Sequence, residues 1–214
     1  LSKGFNDQAR RHAARVLDLL NQADPARAAS IVGIEPPDIY AFKNDYAELL
    51  PGREEENRQR VGNVWFLDEF LLRSQEFSDL RIAKMEELSG PEKDNSTRKV
   101  NFHPHCHQRA EGPASDGVPS GTNATLQLLR SCGYEVELMD TGCCGMAGTF
   151  GFEAEHYDVS MKVGELKLFP SLRQSKAEVV SSGAACRMQI RQGTGVEALH
   201  PIVLVANSIK SPPG

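Results

Sequence analysis

The sequence predicts an α/β protein built on parallel sheet, and three observations lead there. Short runs rich in Ile and Val alternate with helical periodicities, the order that strand–helix–strand crossovers produce. A glycine-phenylalanine pair opens a helix twice, at Gly4-Phe5 and Gly151-Phe152, with similar elements after each. The cysteines fall just beyond predicted strands, and open parallel sheets gather ligands at the carboxyl ends of their strands.

The elements follow in chain order. DQARRHAARVLDLLN (7–21) puts Ala9, Ala13, Val16, Leu17 and Leu20 on one helical face. ASIVGIE (29–35) reads as a buried strand. EPPDIYAFKNDYAELLPG is a turn and then a helix closed by Pro51-Gly52. REEENRQR is a solvated loop or helix face, and NVWFLDEFLLRSQEF (63–77) an amphipathic helix with Trp65 in core or interface. SGPEKDNSTR (89–98) has the turn residues of a linker.

RKVNFHPHC (98–106) is a strand running into a loop, and EGPASDGVPSG (111–121) is loop. TNATLQLLRSCG is a helix with Thr122 as N-cap and Gly133 as its end. YEVELMD (134–140) is a strand leading to Cys143-Cys144, and FEAEHYDVSMKVGELKLF (152–169) a helix. AEVVSSG (177–183) is a strand, AACRMQIRQ opens a short helix, and His200-Pro201 begins the last one. The tail SPPG is loose.

Composition narrows the function classes. The 214 residues suffice for one large domain or two small ones, 40% hydrophobic and 25% charged. A net charge of −5 gives no basic surface for nucleic acid. No apolar run nears the ~18 residues of a membrane span, so peripheral association is the most a membrane is offered. Nothing reads as a signal peptide, and Leu1 in place of methionine reads as a fragment or processed chain. Five cysteines, an odd number without a secretion signal, argue against a disulfide scaffold and for the cytoplasm, where cysteines serve as ligands or catalysts.

Cys106, Cys143, Cys144 and Cys186 therefore form the candidate ligand set, and Cys132, inside a helix, belongs to the core. Two thiolates side by side repel by roughly 4 kcal/mol at 4 Å and a dielectric of 20. A cation between them reverses the sign, so the vicinal pair points to a metal, a disulfide partner or an accident of packing. Helices predicted to open at Cys144 and Cys186 lower thiol pKa values there. His103, His105 and His107 surround Cys106; in extended chain they share a face opposite to it. His107 is the first of them as a near-site ligand. His156, twelve residues after Cys144, lies about 18 Å away if the helix is continuous and is structural. His200 caps or lines the crevice. Gly142, Gly145 and Gly148 give close backbone approach or simple turns. Arg187 offsets charge or is solvated.

The repeat is one-sided. Gly151 to Cys186 spans 35 residues, and Gly4 reaches Asp38 after 34 through the same elements. An internal duplication follows, with 1–90 the remainder of a cysteine-less first copy and 91–214 the second, site-bearing copy. Half of the first copy would lie upstream of Leu1, leaving faces through which two chains could form a homodimer.

CHQ at 106–108, GCCGMAGTFG at 142–151, EHYDVSMKVGE at 155–165 and SGAACRMQI with ALHP downstream resemble the cysteine-rich CCG domain. That family includes the B subunit of heterodisulfide reductase, iron–sulfur subunits of glycolate oxidase and anaerobic glycerol-3-phosphate dehydrogenase, and the C-terminal part of FAD-linked D-lactate and related 2-hydroxy acid dehydrogenases. The motifs are most similar to the last group. The resemblance implies Rossmann-like duplicated CCG units with a cysteine, a CC pair and CxxC as ligands. Cys106, Cys143-Cys144 and Cys186 match, Gly183 stands for the first cysteine of CxxC, and Glu35 and Asp38 take its places in the first copy. Four sulfurs suit a cubane [4Fe–4S] cluster or a structural zinc.

The function expected from the resemblance is an electron-transfer module of an oxidoreductase. FAD sits in another domain or a flavoprotein partner, electrons pass to a downstream acceptor, and no residue here does acid–base chemistry. The alternative is a zinc-stapled or metal-free interaction domain of the same complex. Thiol–disulfide chemistry of the vicinal pair is a third reading.

Overall fold

The computed structural model describes residues 3–88 and 98–209, with side chains at 3–84 and 98–209. The predicted linker at 89–98, apart from Arg98, and the tail at 211–214 lie outside the described residues. The chain divides into two compact units, Leu1–Leu67 and Asp68–Gly214.

In the first unit α1 (Asn6–Ala23) leads to β1 (Ile31–Gly33), α2 (Pro36–Tyr40), a π-helical turn (Ala41–Asp45), α3 (Tyr46–Leu49), α4 (Glu54–Val61) and β2 (Val64–Phe66). β1 and β2 pair in parallel, Ile31 with Val64 and Gly33 with Phe66. Ala13 and Leu17 of α1 pack on Leu49 and Leu50, and Ile39, Phe42, Val64 and Phe66 form a second cluster. Two readings change here. β1 is not a fully buried strand, since Val32 is exposed. Residues 63–77 are not one helix: β2 comes first, then α5 (Leu67–Arg73) and α6 (Gln75–Leu88). Valine, tryptophan and phenylalanine suit either structure locally, and pairing with β1 decides it. The charged run REEENRQR is α4, and it holds a buried arginine. Arg60 binds the Asp24 carboxylate at 2.8 Å, the Asn21 amide oxygen at 3.0 Å and the Asp24 carbonyl at 2.8 Å.

The second unit continues after α6 with β3 (Arg98–Phe102), α7 (Cys106–Ala110), α8 (Gly121–Ser131) and β4 (Tyr134–Leu138). Two 3-10 turns, Phe150–Phe152 and Ala154–His156, precede α9 (Tyr157–Leu166) and α10 (Leu168–Gln174). β5 (Glu178–Val180), α11 (Ala184–Thr194) and α12 (Pro201–Ile209) close it. The sheet is parallel, in the order β4-β3-β5. Leu199 adds a parallel bridge beside Val180. β3 is flanked on both sides, so Val100, Asn101 and Phe102 are all buried. β4 lies at an edge and alternates, with Tyr134 and Val136 in and Glu135 and Glu137 out. The chain leaves β3 toward β4 and returns to β5 on the other side. That reversal is the switch point where such sheets open a crevice at their carboxyl ends.

The expected α/β parallel-sheet architecture is thus present. Cys132 packs with Val100, Phe102 and Leu129 in the core, and Gly133, at φ +84°, ends α8. Thr122 is not the N-cap of α8. Ser120 holds that place without a side-chain bond, and the Glu69 carboxylate accepts from the Gly121 N–H at 2.8 Å. The helix predicted over 152–169 is broken. Lys167 leaves helical geometry, and Pro170 cannot bond to the carbonyl of Leu166, four residues back. The Phe169 ring then fits against Gly164 of α9 and Gly193 of α11, where any Cβ would meet it at 2.3 Å.

A buried acid braces this unit. Thr125 donates its hydroxyl to the Asp68 carboxylate, and Gln108 donates its amide to Asp68 at 3.4 Å and to Thr125 at 3.1 Å. Burial raises the Asp68 carboxyl to about 6, against the Thr125 hydrogen bond, with the Glu69 charge adding to the rise. A folded-state value above the unfolded 3.8 means the folded chain holds the proton more tightly. The stability contribution is full at low pH and is lost as pH rises through about 6. Asp68→Asn is expected to remove this loss, raising stability near pH 8 relative to pH 5 by about 1 kcal/mol. Urea melts of both proteins at the two pH values check it.

Candidate metal centre

Each cysteine-bearing loop leaves the carboxyl end of a different strand. After β3 the His103 N–H donates to the Val180 carbonyl at 2.9 Å, holding the first loop against β5. The chain turns at Pro104 and enters α7 with Cys106 as its first residue. His105 is the N-cap: its Nδ1 accepts from the His107 N–H at 3.1 Å. The Gln108 side chain accepts from the His105 N–H at 3.3 Å, which completes a capping box. Through Gln108 the loop is tied to Thr125 and Asp68.

After β4 the chain runs through Thr141 and Gly142 to Cys143-Cys144 without forming a helix. The expected helix start at Cys144 is therefore wrong; the cysteines at helix starts are Cys106 in α7 and Cys186 in α11. The Gly145 N–H donates to Cys143 Sγ at 3.3 Å. Gln189 of α11 donates to Ser160 of α9 at 2.9 Å, and Ser160 donates to the Gly145 carbonyl at 2.9 Å. Gly145 is the glycine of close approach, but it approaches protein. A Cβ there would stand 2.1 Å from the Ser160 carbonyl oxygen. Gly142 and Gly148 are turn positions at φ +68°, and Gly142 faces open space.

After β5 the turn Ser181–Gly183 enters α11 and places Cys186 third in the helix, inside the apolar cluster of Met139, Met146, Phe169 and Ile190. Arg187 is half-buried, and its guanidinium donates to the carbonyls of Ser181 and Ser182 at 2.9 and 2.7 Å.

The sulfurs converge in part. Cys144 and Cys186, both buried, lie 3.4 Å apart. Cys106 and Cys143 are exposed, Cys143 beside Cys144 and Cys106 against the His105 ring, 3.7 Å from Nδ1. Among the described residues no three of His, Cys, Asp and Glu are disposed to hold one metal ion.

The thiols of Cys106, Cys143 and Cys144 are raised rather than lowered. Cys143 is raised, first by its hydrogen bond with Cys144 and then by burial. Cys144 rises to about 12: the bond from Cys143 favours its thiolate, but the bond shared with Cys186 and burial outweigh it. Burial and then the Cys143 thiol raise Cys106. Such thiols pack as neutral groups until a cation offsets their charge.

The histidines do not share an extended face, because β3 ends at Phe102. His103 is buried, 3.0 Å from the Thr141 hydroxyl, and held to about 4 by burial and then by Arg109. Burial, then His107 and His103, bring His105 to about 4. The His107 ring stands edge-on to His105 at 5.0 Å, and its backbone N–H faces the Cys106 sulfur. His156 stacks on Phe150 at 4.1 Å beside Glu153, consistent with a structural role, although the continuous helix assumed for its distance is absent. His200 caps α12, accepting from the Ile202 N–H at 3.1 Å. Sequence reasoning missed the Gln189–Ser160–Gly145 brace and ranked His105 below His107. Glycine in place of a ligand-position cysteine was the one signal for His105.

The donor set fits a thiophilic group. Four soft sulfurs end three strands. The hydroxyls of Ser181 and Ser182 are buried beside the Gly183–Cys186 turn without a partner among the described residues.

The fold gathers four cysteines at the switch point of a parallel sheet. Residues 100–191 match the family model of the cysteine-rich CCG domain. The C subunit of anaerobic glycerol-3-phosphate dehydrogenase from Escherichia coli (strain K12) is 28% identical over 211 residues, covering 98% of this chain and 48% of its own length. The D-2-hydroxyglutarate dehydrogenase of the same strain is 26% identical over 209 residues, 97% of this chain and 18% of its own. That of Pseudomonas putida (strain KT2440) is 26% identical over 175 residues. The chain thus spans about half the length of the first relative and under a fifth of the others.

Oxidation tests the metal-free geometry. With diamide, Cys144 and Cys186 are expected to join, their two protons and two electrons passing to the reagent. Two of the five thiols vanish, and Cys144→Ala abolishes this. Thiol counts and peptide mapping check it; a Cys143–Cys144 bridge would contradict the observed packing.

Proposed function

We propose that the chain is the iron–sulfur electron-transfer module of a dehydrogenase acting on a 2-hydroxy acid. Cys106, Cys143, Cys144 and Cys186 hold a [4Fe–4S] cluster, with His107 as a further candidate donor beside Cys106. When bound, that cluster takes up and passes on single electrons. The observation that carries the reading is the arrival of all four cysteines from the carboxyl ends of three neighbouring parallel strands. The relatives add support, since both are named as dehydrogenases and D-2-hydroxyglutarate is a 2-hydroxy acid.

The chain's own residues hold and shield. The brace of Gln189, Ser160 and Gly145 fixes the loop of the vicinal pair, and Arg187 fixes the turn before Cys186. The apolar cluster keeps water from Cys144 and Cys186, and burial is one of the levers on reduction potential. The electron donor is FAD in a flavoprotein domain or subunit outside this chain, and a second protein or small acceptor takes the electron. Among the described residues no helix is long and apolar enough to cross a membrane. A cytoplasmic setting, where thiols stay reduced, suits the five free cysteines.

The division into a cysteine-less copy (1–90) and a site-bearing copy (91–214) belongs to this reading. Two parallels support it. β1 and β5 are each followed by helical chain, three helices after β1 and one after β5, and then by a parallel neighbour, β2 and Leu199. Asp38 is third in α2 after its N-cap Glu35, and Cys186 third in α11 after its N-cap Gly183.

The anaerobically purified chain, mixed with chemically reduced free flavin, is expected to lose its visible cluster absorption and regain it with ferricyanide. Iron-loaded protein that reduced flavin cannot bleach would overturn electron transfer. The zinc reading has one observation in its favour. Sulfurs on a tetrahedral zinc at ~2.3 Å stand roughly 3.8 Å apart, near the 3.4 Å of Cys144 and Cys186.

A further inference from the structure

The position that separates this chain from the five-cysteine pattern is Gly183, and its backbone does not need glycine. Gly183 is the N-cap of α11 with φ −77° and ψ 127°, ordinary extended geometry for any residue. Its surroundings are what exclude a side chain. A Cβ there would stand 2.5 Å from His105 Cδ2, 3.3 Å from His105 Cγ and 3.3 Å from Cys186 Sγ. The His105 imidazole therefore occupies the space that a side chain at 183 would enter. The ring and the missing cysteine are mutually exclusive.

The ring's orientation is fixed by the backbone. Nδ1 accepts from the His107 N–H at 3.1 Å, so that nitrogen presents its lone pair. In neutral imidazole the proton then resides on Nε2. Cys106 Sγ lies alongside the ring, 3.7 Å from Nδ1 and 4.0 Å from Nε2, and Cys186 Sγ borders the same space through Gly183. An Nε2 that carries a proton has no lone pair for a metal and is a hydrogen-bond donor.

We infer that His105 stands in for the missing cysteine as an N–H donor to the cysteine sulfurs of the bound cluster, not as a ligand. The inference rests on the iron–sulfur reading above. His105 is a positioning and tuning residue. A donor to sulfur stabilises the more negative, reduced form and raises the reduction potential. Gly183 is its counterpart, kept small so that the ring can lie there.

The test is the potential of the full chain, purified without oxygen, in a redox titration followed by electron paramagnetic resonance. His105→Ala is expected to keep wild-type iron content. Its reduced-to-oxidised ratio at a fixed potential should fall about tenfold, a shift of about 59 mV for one electron. His105→Gln, which places an amide N–H near the Nε2 position, should recover part of the shift. Gly183→Ala should push the ring aside and reproduce the shift by itself, and the double variant should add nothing, as coupled sites require. Circular dichroism and thermal melts confirm that each variant is folded. A wild-type potential in His105→Ala, or additive effects of the two substitutions, would overturn the donor role. Loss of iron in folded His105→Ala would overturn it in favour of ligation. Absence of iron from the wild-type chain would defeat the iron–sulfur reading and this inference together, whereas iron-loaded wild type with an indifferent His105 defeats this inference alone.

Discussion

Gly145→Ala is expected to cost more than about 4 kcal/mol, a loss reserved for named structural faults. Two faults coincide. Gly145 has φ +102°, a conformation that L side chains rarely adopt. Its new methyl would also stand 2.1 Å from the Ser160 carbonyl oxygen, 3.0 Å from that carbonyl carbon and 3.3 Å from the Gln189 amide nitrogen. Backbone on α9 cannot yield as the end of a flexible side chain would. Since a domain has only about 5–15 kcal/mol in total, much of the unit's stability would go, and the brace on the cysteine loop with it. Gly142→Ala is the control, because Gly142 also has positive φ but open space. It should cost about 1–2 kcal/mol. Denaturant melts of both variants measure the difference, and equal losses would show that the packing against Ser160 is not what Gly145 serves.

The second large effect separates the cysteines. Cys144→Ala is expected to abolish metal uptake while the chain remains folded, since it removes the buried sulfur that meets Cys186. Cys132→Ala should leave metal content unchanged. Cys132 is nearly inaccessible in the cluster around Val100, Phe102 and Leu129, so its loss should instead cost about 1–2 kcal/mol as a small core truncation. Metal analysis beside melting curves gives both quantities for each variant. Full metal in Cys144→Ala, or none in Cys132→Ala, would reverse the assignment of ligand and core cysteines.

Much of the second unit was legible because its signals are local. β3, β4 and β5 are short segments carrying valine and aromatic residues between turn signals, and Gly133 and Pro201 mark helix ends by backbone chemistry that needs no distant partner. With strands placed, the order of a parallel sheet brought Cys106, the vicinal pair and Cys186 to the same end. Where distant contacts decide, the sequence was ambiguous. Val64–Phe66 carry apolar residues that fit a helical stripe as well as a strand, and only pairing with Ile31–Gly33 resolves them. The break after Leu166 reflects Pro170 acting four residues back. Cys144 opens no helix, because the chain after it turns back to place Gly145 on Ser160. Arg60 looked like one charge among many in REEENRQR. Its burial depends on Asp24 and Asn21, more than thirty residues away.

The site shows the same division. That Cys106, Cys143, Cys144 and Cys186 follow the carboxyl ends of three neighbouring strands was readable from the strand pattern. How they are held was not, because Ser160, Gln189 and His105 act through contacts across loops. The Asp68–Thr125–Gln108 network was equally hidden, for a buried carboxylate is recognised only when its neighbours are known.

The most direct measurement is iron, acid-labile sulfide and zinc per chain, on protein purified without oxygen, with an electron paramagnetic resonance spectrum after reduction. The account predicts about four irons and four sulfides, a signal that appears on reduction, and loss of all three in Cys144→Ala. Stoichiometric zinc without iron, persisting after attempted cluster reconstitution, would contradict it and make the same four cysteines the staple of a structural module.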